Sequence, residues 1–443
     1  MSAAQYNCSS ASGQFRDQPR VLCRRGLRPD IDAHNLRTSL LIIPCSAKYC
    51  LLMKLRRLPE DFQVDEQTAF HSGPPGPYAV YRLTKRGIGT PEAIEEILRS
   101  WNLPRRRIAY GGLKDRHAVT TQHVTIHHGP HRSLRTATLH LEFLGTAARA
   151  FTAGDIDANR FHLVLRSLTR DELDGALAAL PDIQRTGLPN YFDDQRFGSV
   201  TSDGEFVAAA WLKRDYERSL WLAFAAPTPF DQRDEREQKQ LLRDHWGDWP
   251  ACKAALARSH RRSVITFLAD RPGDFKGAWA RVRQDLRSLY LSAFQSQLWN
   301  QMAGRWIASA TPHTIPIEFK TQILPFPSEV PAEQWAQLQD IKLPLPSGRE
   351  QASGPIAELL NDVLKQHKLE TRDLRVRYPK DSFFSKGWRH IAIPMLDLKF
   401  HADRDELDPD HHKLELDFQL PRGSYATILV KRLMLQGDDN EGE

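Results

Sequence analysis

Near the C-terminus, Leu414, Leu416, Phe418 and Leu420 alternate with Glu415, Asp417 and Gln419. An apolar period of two gives a strand one buried and one wetter face. Phe161, Leu163 and Leu165 alternate in the same way with His162, Val164 and Arg166. Residues 78–83 and the alternating run 123–127 read as further strands, as does Ile391-Ala392-Ile393. The chain between about 200 and 380 differs. Leu286, Leu289, Tyr290, Ala293, Phe294 and Leu298 form the apolar stripe of a long helix, and residues 231–243 are almost all charged or Gln, as in a solvated helix. Strands on both sides of a helical stretch predict a sheet-bearing unit interrupted by a largely helical insertion. Shorter signals add a helix over residues 91–101, with Thr90 as N-cap and Pro91 in the first turn, and another through Leu173, Leu177 and Leu180. Residues 311–355 are proline-rich and read as irregular.

Length, at 443 residues, allows two or three domains, and 41% hydrophobic with 26% charged residues is the balance of a globular chain. No apolar run approaches the ~20 residues that span a bilayer, so no membrane partner is expected. The net charge of +6 is uneven: residues 1–57 hold ten Lys/Arg against three Asp, and the rest nearly cancels. A nucleic-acid partner would therefore have to meet a local positive face rather than bulk charge. Cys8, Cys23, Cys45 and Cys50 lie in the head, leaving Cys252 alone in the rest. That spacing offers neither a disulfide framework nor a zinc site, and fits a cytoplasmic protein. Residues 1–52 are Ser/Arg-rich without sustained periodicity; they are expected to be a disordered extension, with Met53 as the preferred start of translation. Residues 436–443 form an acidic tail.

The most chemically suggestive segment is Tyr110-Gly111-Gly112-Leu113-Lys114-Asp115-Arg116-His117-Ala118-Val119-Thr120. It sets the Asp115 carboxylate between two cations, which favour its charged form. Such an anion at a loop–strand junction is what metal-free nucleophilic or electrostatic catalysis needs. Read locally, the triplet also fits a solvated turn. No Gly-x-Gly-x-x-Gly loop opens a helix and no Walker-type loop is present, so no cofactor is expected. The pairs His127-His128 and His411-His412 lack i,i+4 metal geometry, and no metal site is assigned. Arg105–Arg107 and the group Arg258, Arg261 and Arg262 are candidate phosphate contacts.

Gly-Leu-Lys-Asp-Arg-His-Ala-Val-Thr resembles the signature of the TruD-type tRNA pseudouridine synthases. Pro189-Asn190-Tyr191-Phe192-Asp193-Asp194-Gln195-Arg196-Phe197-Gly198 is similar to a second motif of that family, with Asp193 where Gly is usual. Weaker echoes follow in family order: Pro59–Glu66, Asn159-Arg160-Phe161, Ser292–Asn300 and Leu420–Thr427. They run from about Met53 to Met434.

The resemblance implies an α+β catalytic fold on a mixed, mostly antiparallel sheet with flanking helices. Its parts would be residues 53–198 and 381–435, with a largely helical TRUD domain inserted at 199–380. It implies isomerisation of a tRNA uridine, commonly uridine 13 of the D-arm, with Asp115 attacking or deprotonating the ribose. It places Asn190, Phe192, Phe62 and Tyr425 at the substrate. Spacing agrees for Asn190 and Phe192, which project to one side of an extended segment, where an amide can read a uracil edge and a ring can stack on a base. Each also has a structural reading: a turn residue for Asn190, core aromatics for Phe192 and Phe62, a packed tyrosine for Tyr425. Lys114, Arg116, Gln195 and Arg196 are expected to support the site. Arg56 stands where the family usually has Lys, and its fork differs from an ammonium. The expected partner is tRNA, with no protein partner and a monomeric state. A catalytically silent RNA-binding protein on the same fold is the alternative; a carboxylate hydrolase would want a second placed acid, which no spacing supports.

Overall fold

The computed structural model describes residues 57–229, 231–348 and 352–435, and the description concerns one compact unit. The expected extension over residues 1–52, Arg56 and the acidic tail lie outside the described residues.

The chain begins with seven strands: β1 (Phe62–Gln67), β2 (Tyr78–Arg86), β3 (Ile108–Tyr110), β4 (Val119–His127), β5 (Leu134–Arg135), β6 (Leu139–Ala147) and β7 (Ala158–Leu168). Helix α1 (Thr90–Trp101) lies between β2 and β3, and α2 (Arg170–Thr186) follows β7. After the short strand β8 (Leu188–Pro189) come seven helices: α3 (Val207–Leu212), α4 (Tyr216–Phe224), α5 (Arg233–Asp244), α6 (Trp249–Ala255), α7 (His260–Asp270), α8 (Phe275–Ala280) and the long α9 (Gln284–Ala310). A ribbon of β9 (Thr314–Phe319) and β10 (Gln322–Pro327) follows, then α10 (Ala332–Asp340), β11 (Lys342–Pro344) and α11 (Gly354–Gln366). The chain closes with β12 (Trp388–His390), β13 (Ala392–Ile393), β14 (Leu396–Asp405), β15 (Asp408–Pro421) and α12 (Ala426–Leu433).

Nine strands form one sheet in the order β14-β15-β7-β1-β4-β2-β6-β5, with β3 also on β4. All pairings are antiparallel except β1 with β4. The sheet is therefore mixed and mostly antiparallel, and it joins strands from both ends of the chain. The alternations explain the pairing of β15 with β7: Phe418 meets Phe161 and Leu416 meets Leu163 in register, and all four are buried. Fully burying such a side chain contributes about 1.5–3 kcal/mol. On the other half, Ala93, Ile94 and Ile97 of α1 close over Tyr81, Leu83, Val124 and Leu141.

Two local expectations need correction. Gly89, not Thr90, occupies the cap of α1 in an extended conformation. Thr90 is the first helical residue, and its hydroxyl donates to Gln122 Oε1 at 2.9 Å and accepts from Lys114 N at 2.9 Å. A buried hydroxyl with partners on other elements has no reason to turn back on its own helix. The described residues within 311–355 are not irregular: they hold β9, β10, α10 and β11. Pro316 faces Pro325 across the ribbon. Each strand of a two-stranded ribbon has one unpaired edge, where a missing N–H does no harm.

One buried ion cluster ties the sheet at the start of β1. Arg166 donates at 2.8 Å to Asp61 Oδ1 and at 2.8 Å to Asp405 Oδ1. It links β7 to the segments that open β1 and close β14, with each residue at most 5% exposed.

Candidate active site

The loop between β3 and β4 carries Asp115. Gly111 packs so that a Cβ there would meet Ile156 at 2.6 Å and Phe151 at 2.9 Å, which is why a residue without a side chain stands at the loop entrance. The loop then folds back across the sheet. Lys114 reaches Glu66 Oε2 at 3.2 Å and Asn159 Oδ1 at 2.5 Å, although Val119, just beyond, aligns with Gln63. Glu66 also accepts from the His123 amide at 2.8 Å. Burial works against ionising Glu66, but His123 and Lys114 outweigh it and lower its pKa. Arg116 turns outward to Glu92. Both cations that flank Asp115 in sequence thus have other acidic partners.

The cation beneath the loop is Lys85, which sequence reasoning passed over. Its Nζ donates to Asp115 O at 2.5 Å and to Ile88 O at 2.7 Å, and the residue is only 1% exposed. Burial pushes its pKa down to about 8; the Asp115 charge opposes that shift and Lys114 reinforces it. A signal existed. Tyr81, Leu83 and Lys85 share one face of β2, and the first two are core residues. A lysine at a core-facing period-two position is a departure that asks for an explanation.

The second half of the site gathers around Phe192. Asn300 of α9 clamps that residue's backbone: its Oδ1 accepts from Phe192 N at 2.8 Å, and its Nδ2 donates to Phe192 O at 2.8 Å. Trp299 and Tyr425 meet the ring edge to face, at 5.6 Å and 6.2 Å. The Arg389 guanidinium lies 4.2 Å from the ring centroid and that of Arg196 5.7 Å. Arg389 also donates to Asn190 O at 2.9 Å, Asn190 Oδ1 at 2.6 Å and Gly423 O at 2.8 Å. Asn190 is held further by its Nδ2, which donates to His390 O at 3.0 Å, and by its amide, which donates to Ile391 O at 2.8 Å.

Tyr425 links the two halves electrostatically. Burial raises its pKa; Arg196 and Arg389 pull it down, while Asp193 and Asp115 push it up. The Tyr425 ring packs against Phe192. Asp193, where the family motif carries Gly, is a buried carboxyl whose pKa is raised by desolvation and by Asp194.

The remaining expected residues fall in varied places. Phe62 is 2% exposed at the start of β1 and meets Phe161 edge to face at 6.3 Å. Arg196 donates weakly to Ser296 Oγ at 3.3 Å, and Gln195 is exposed. Of the candidate phosphate contacts, Arg105 bonds Ile108 O and the Tyr110 hydroxyl, Arg261 pairs with Glu235, and Arg262 donates to Lys253 O. Arg106 and Arg258 are exposed. Among the described residues no group of three or more His, Cys, Asp or Glu could hold a metal ion, and no helix is long and apolar enough to cross a membrane.

The family model described as tRNA pseudouridine synthase D (TruD) matches residues 45–321 and 333–433. The chain belongs to the TruD family. It is 30% identical over 393 residues to a Methanococcus maripaludis protein named "Probable tRNA pseudouridine synthase D 1", covering 86% of this chain and 99% of that one. An Aquifex aeolicus protein named tRNA pseudouridine synthase D is 26% identical, with 86% and 98% covered. The crystal structure of a Methanosarcina mazei TruD protein superposes with a TM-score of 0.65 at 26% identity, over 86% of this chain and 93% of that one. Both the loop of Asp115 and the segment of Asn190 and Phe192 lie within the matched residues.

Proposed function

We propose that this TruD-family chain is a tRNA pseudouridine synthase that isomerises a uridine, uridine 13 of the D-arm, with Asp115 as nucleophile. The reading is supported by the family match over residues 45–321 and 333–433 and by the packing of Phe192 against Tyr425 and Arg389, with Arg389 bonded to Asn190. The target base leaves its stack and enters the site. The N1–C1′ bond breaks and its electron pair stays with the base. Asp115 either bonds C1′, in a bond that breaks when C5 attacks, or takes a ribose proton, which returns to the sugar at that step. The base turns, C5 bonds C1′, the C5 proton leaves, and N1 gains one. Atoms and electrons balance without redox chemistry or a group donor.

Phe192 and Tyr425 hold the loose base by stacking, at about 1–3 kcal/mol per base. Asn190 reads its edge, and Phe62 backs the pocket from the sheet core. Lys85 fixes the Asp115 backbone and keeps a positive charge beneath it. Lys114, held by Glu66 and Asn159, braces the loop, and Arg116 anchors its far side to Glu92. Arg196 lies along the Phe192 ring, and Gln195 remains available to RNA at the surface. Residues 53–198 and 381–435 form the catalytic domain and 199–380 the insertion. The protein works in the cytoplasm as a monomer.

The test is release of tritium from C5-labelled uridine in tRNA transcripts. Wild-type protein should release it, and Asp115→Asn should bind tRNA yet give no product. Comparable turnover by that variant removes Asp115 from the role. Tight tRNA binding by a wild-type protein that gives no pseudouridine would leave the binding-only alternative standing.

A further inference from the structure

Arg389 is a partly buried cation that reaches three acceptors. Its hydrogen-bond acceptors are the Asn190 carbonyl, the Asn190 side-chain oxygen and the Gly423 carbonyl, all neutral. Its planar face lies 4.2 Å from the Phe192 ring centroid and 5.4 Å from that of Trp299. One side chain on β12 thus joins the Asn190–Phe192 segment after β8 to the turn that leads into Tyr425. Gly423, with φ +79°, brings its backbone close to that guanidinium.

The bond to Asn190 Oδ1 has a chemical consequence. A carboxamide can be turned end for end at almost no cost in shape, so only its partners fix which end is oxygen. Guanidinium is a donor with no acceptor, so it requires oxygen on its side. The His390 carbonyl is an acceptor and requires the NH2 on the other side. Each end of the amide then keeps one unused function: a lone pair on Oδ1 and an N–H on Nδ2. Their order is set before substrate arrives.

Uracil and cytosine differ in the order of donors and acceptors along the edge that a flipped base presents. Uracil offers the N3–H donor beside the O4 acceptor, and cytosine offers the reverse. An amide fixed as acceptor and donor in one order complements one base and opposes the other.

We propose that Arg389 is a positioning residue that locks the Asn190 amide in the orientation that accepts uracil and rejects cytosine, while holding Phe192 and the Tyr425 segment in register. The proposal rests on the reading of Asn190 as the residue that meets the base. Arg389 acts through Asn190 and need not touch the substrate.

The experiment compares wild type, Arg389→Met, Arg389→Lys, Asn190→Ala and the double variant Arg389→Met/Asn190→Ala. Two transcripts, with uridine or cytidine at the target position, compete for binding, and single-turnover rates are taken on the uridine form. Wild type should prefer the uridine transcript by about tenfold or more, which is 1.4 kcal/mol per tenfold. Arg389→Met should bring that ratio near one and cut the rate about 100-fold, the scale of a misplaced site group. Arg389→Lys, still a donor to Oδ1, should keep much of the ratio while losing rate. In binding ratio the double variant should match Asn190→Ala alone, because both lack the oriented amide. An unchanged ratio in a folded Arg389→Met protein overturns the proposal. So does a double variant whose ratio departs from that of Asn190→Ala. Should Arg389→Met fail to fold, a ratio near one in Arg389→Lys would count against the proposal equally. The two readings fail separately. Wild type that makes no pseudouridine sinks the enzyme reading while the binding ratio still tests Arg389; an active wild type with an indifferent Arg389→Met sinks only the proposal.

Discussion

Replacing Lys85 by Met tests the Asp115 half of the site. The substitution keeps an unbranched stem and removes the ammonium. Two carbonyls, Asp115 O and Ile88 O, lose the donor that now reaches them at 2.5 and 2.7 Å. Orphaning them costs about 1–3 kcal/mol each. Against this, burial has moved the lysine pKa from 10.5 to about 8, so keeping it charged at pH 7 costs the fold about 3 kcal/mol. The two effects oppose each other, and the variant should be folded and within about 3 kcal/mol of wild type. Activity should fare worse, because the Asp115 backbone loses its anchor and the charge beneath it: a drop of about 10–100-fold in single-turnover rate, or 1.4–2.7 kcal/mol. pH supplies an independent check. The folded pKa lies below the unfolded one, so between about pH 8 and 10.5 the unfolded chain binds more protons and stability rises with pH. Wild type should show that rise in denaturant titrations and Lys85→Met should lack it. The wild-type rate should fall above about pH 8 as Lys85 loses its proton, whereas Lys85→Arg should carry its activity to higher pH. Tritium release measured across pH 6.5–9.5, about 1.5 units on each side of the Lys85 pKa, decides. An alkaline limb that is the same in wild type and Lys85→Met, with equal rates below it, would refute the reasoning.

Other substitutions separate holding from reacting. Asn300→Ala frees both backbone groups of Phe192 in a residue with no exposure; chemical denaturation should show a loss of about 2–4 kcal/mol, and kcat should fall with it. Arg166→Met leaves Asp61 and Asp405 buried without their cation; the expected cost is about 3–5 kcal/mol in urea midpoint terms, with the activity per folded molecule unchanged. Gly187→Ala puts a methyl group into the Ile393 carbonyl at φ +78°. It should lower the melting temperature by several degrees and loosen the β8–β13 pairing that seats Asn190, read as faster amide exchange at Asn190.

Strands were legible where one face is core and the other is not. The alternations through Phe161 and Phe418 meet in register across β7 and β15 because one-residue slips would bury Asp417 and His162. Motif resemblance singled out Asp115, Asn190, Phe192 and Tyr425, and long-range packing sets Tyr425 against Phe192, with Arg389 bonded to Asn190. What sequence could not give was partner choice. Lys114 and Arg116 flank Asp115, yet their acids come from β1 and α1, at Glu66 and Glu92. Asn300 sits 108 positions from the backbone that it clamps. Arg389 is 199 positions from Asn190 and carries no periodic or motif signal of its own. The prolines of residues 311–355 hid a ribbon because local propensity cannot say which strand edges stay unpaired.

Three buried or partly buried cations of this fold can be sorted by what they touch. Arg166 sits between Asp61 and Asp405, and its pKa is raised above the ordinary value despite burial. Such a residue is satisfied by the native structure, and its place is structural. Lys85 and Arg389 donate chiefly to neutral oxygens, and burial drives their pKa values down to about 8 and about 10. A fold under selection for stability alone would replace such cations by apolar residues of similar size. Their positions give the reason for keeping them: Lys85 lies under the Asp115 loop, and Arg389 lies between Asn190, Phe192 and the turn before Tyr425. Cations held at a cost to the free protein are suited to the proposed reaction, in which a carboxylate acts and a base departs with extra electrons. It follows that Lys85→Met and Arg389→Met should lose turnover per folded molecule, whereas Arg166→Met should lose stability and leave turnover per folded molecule intact.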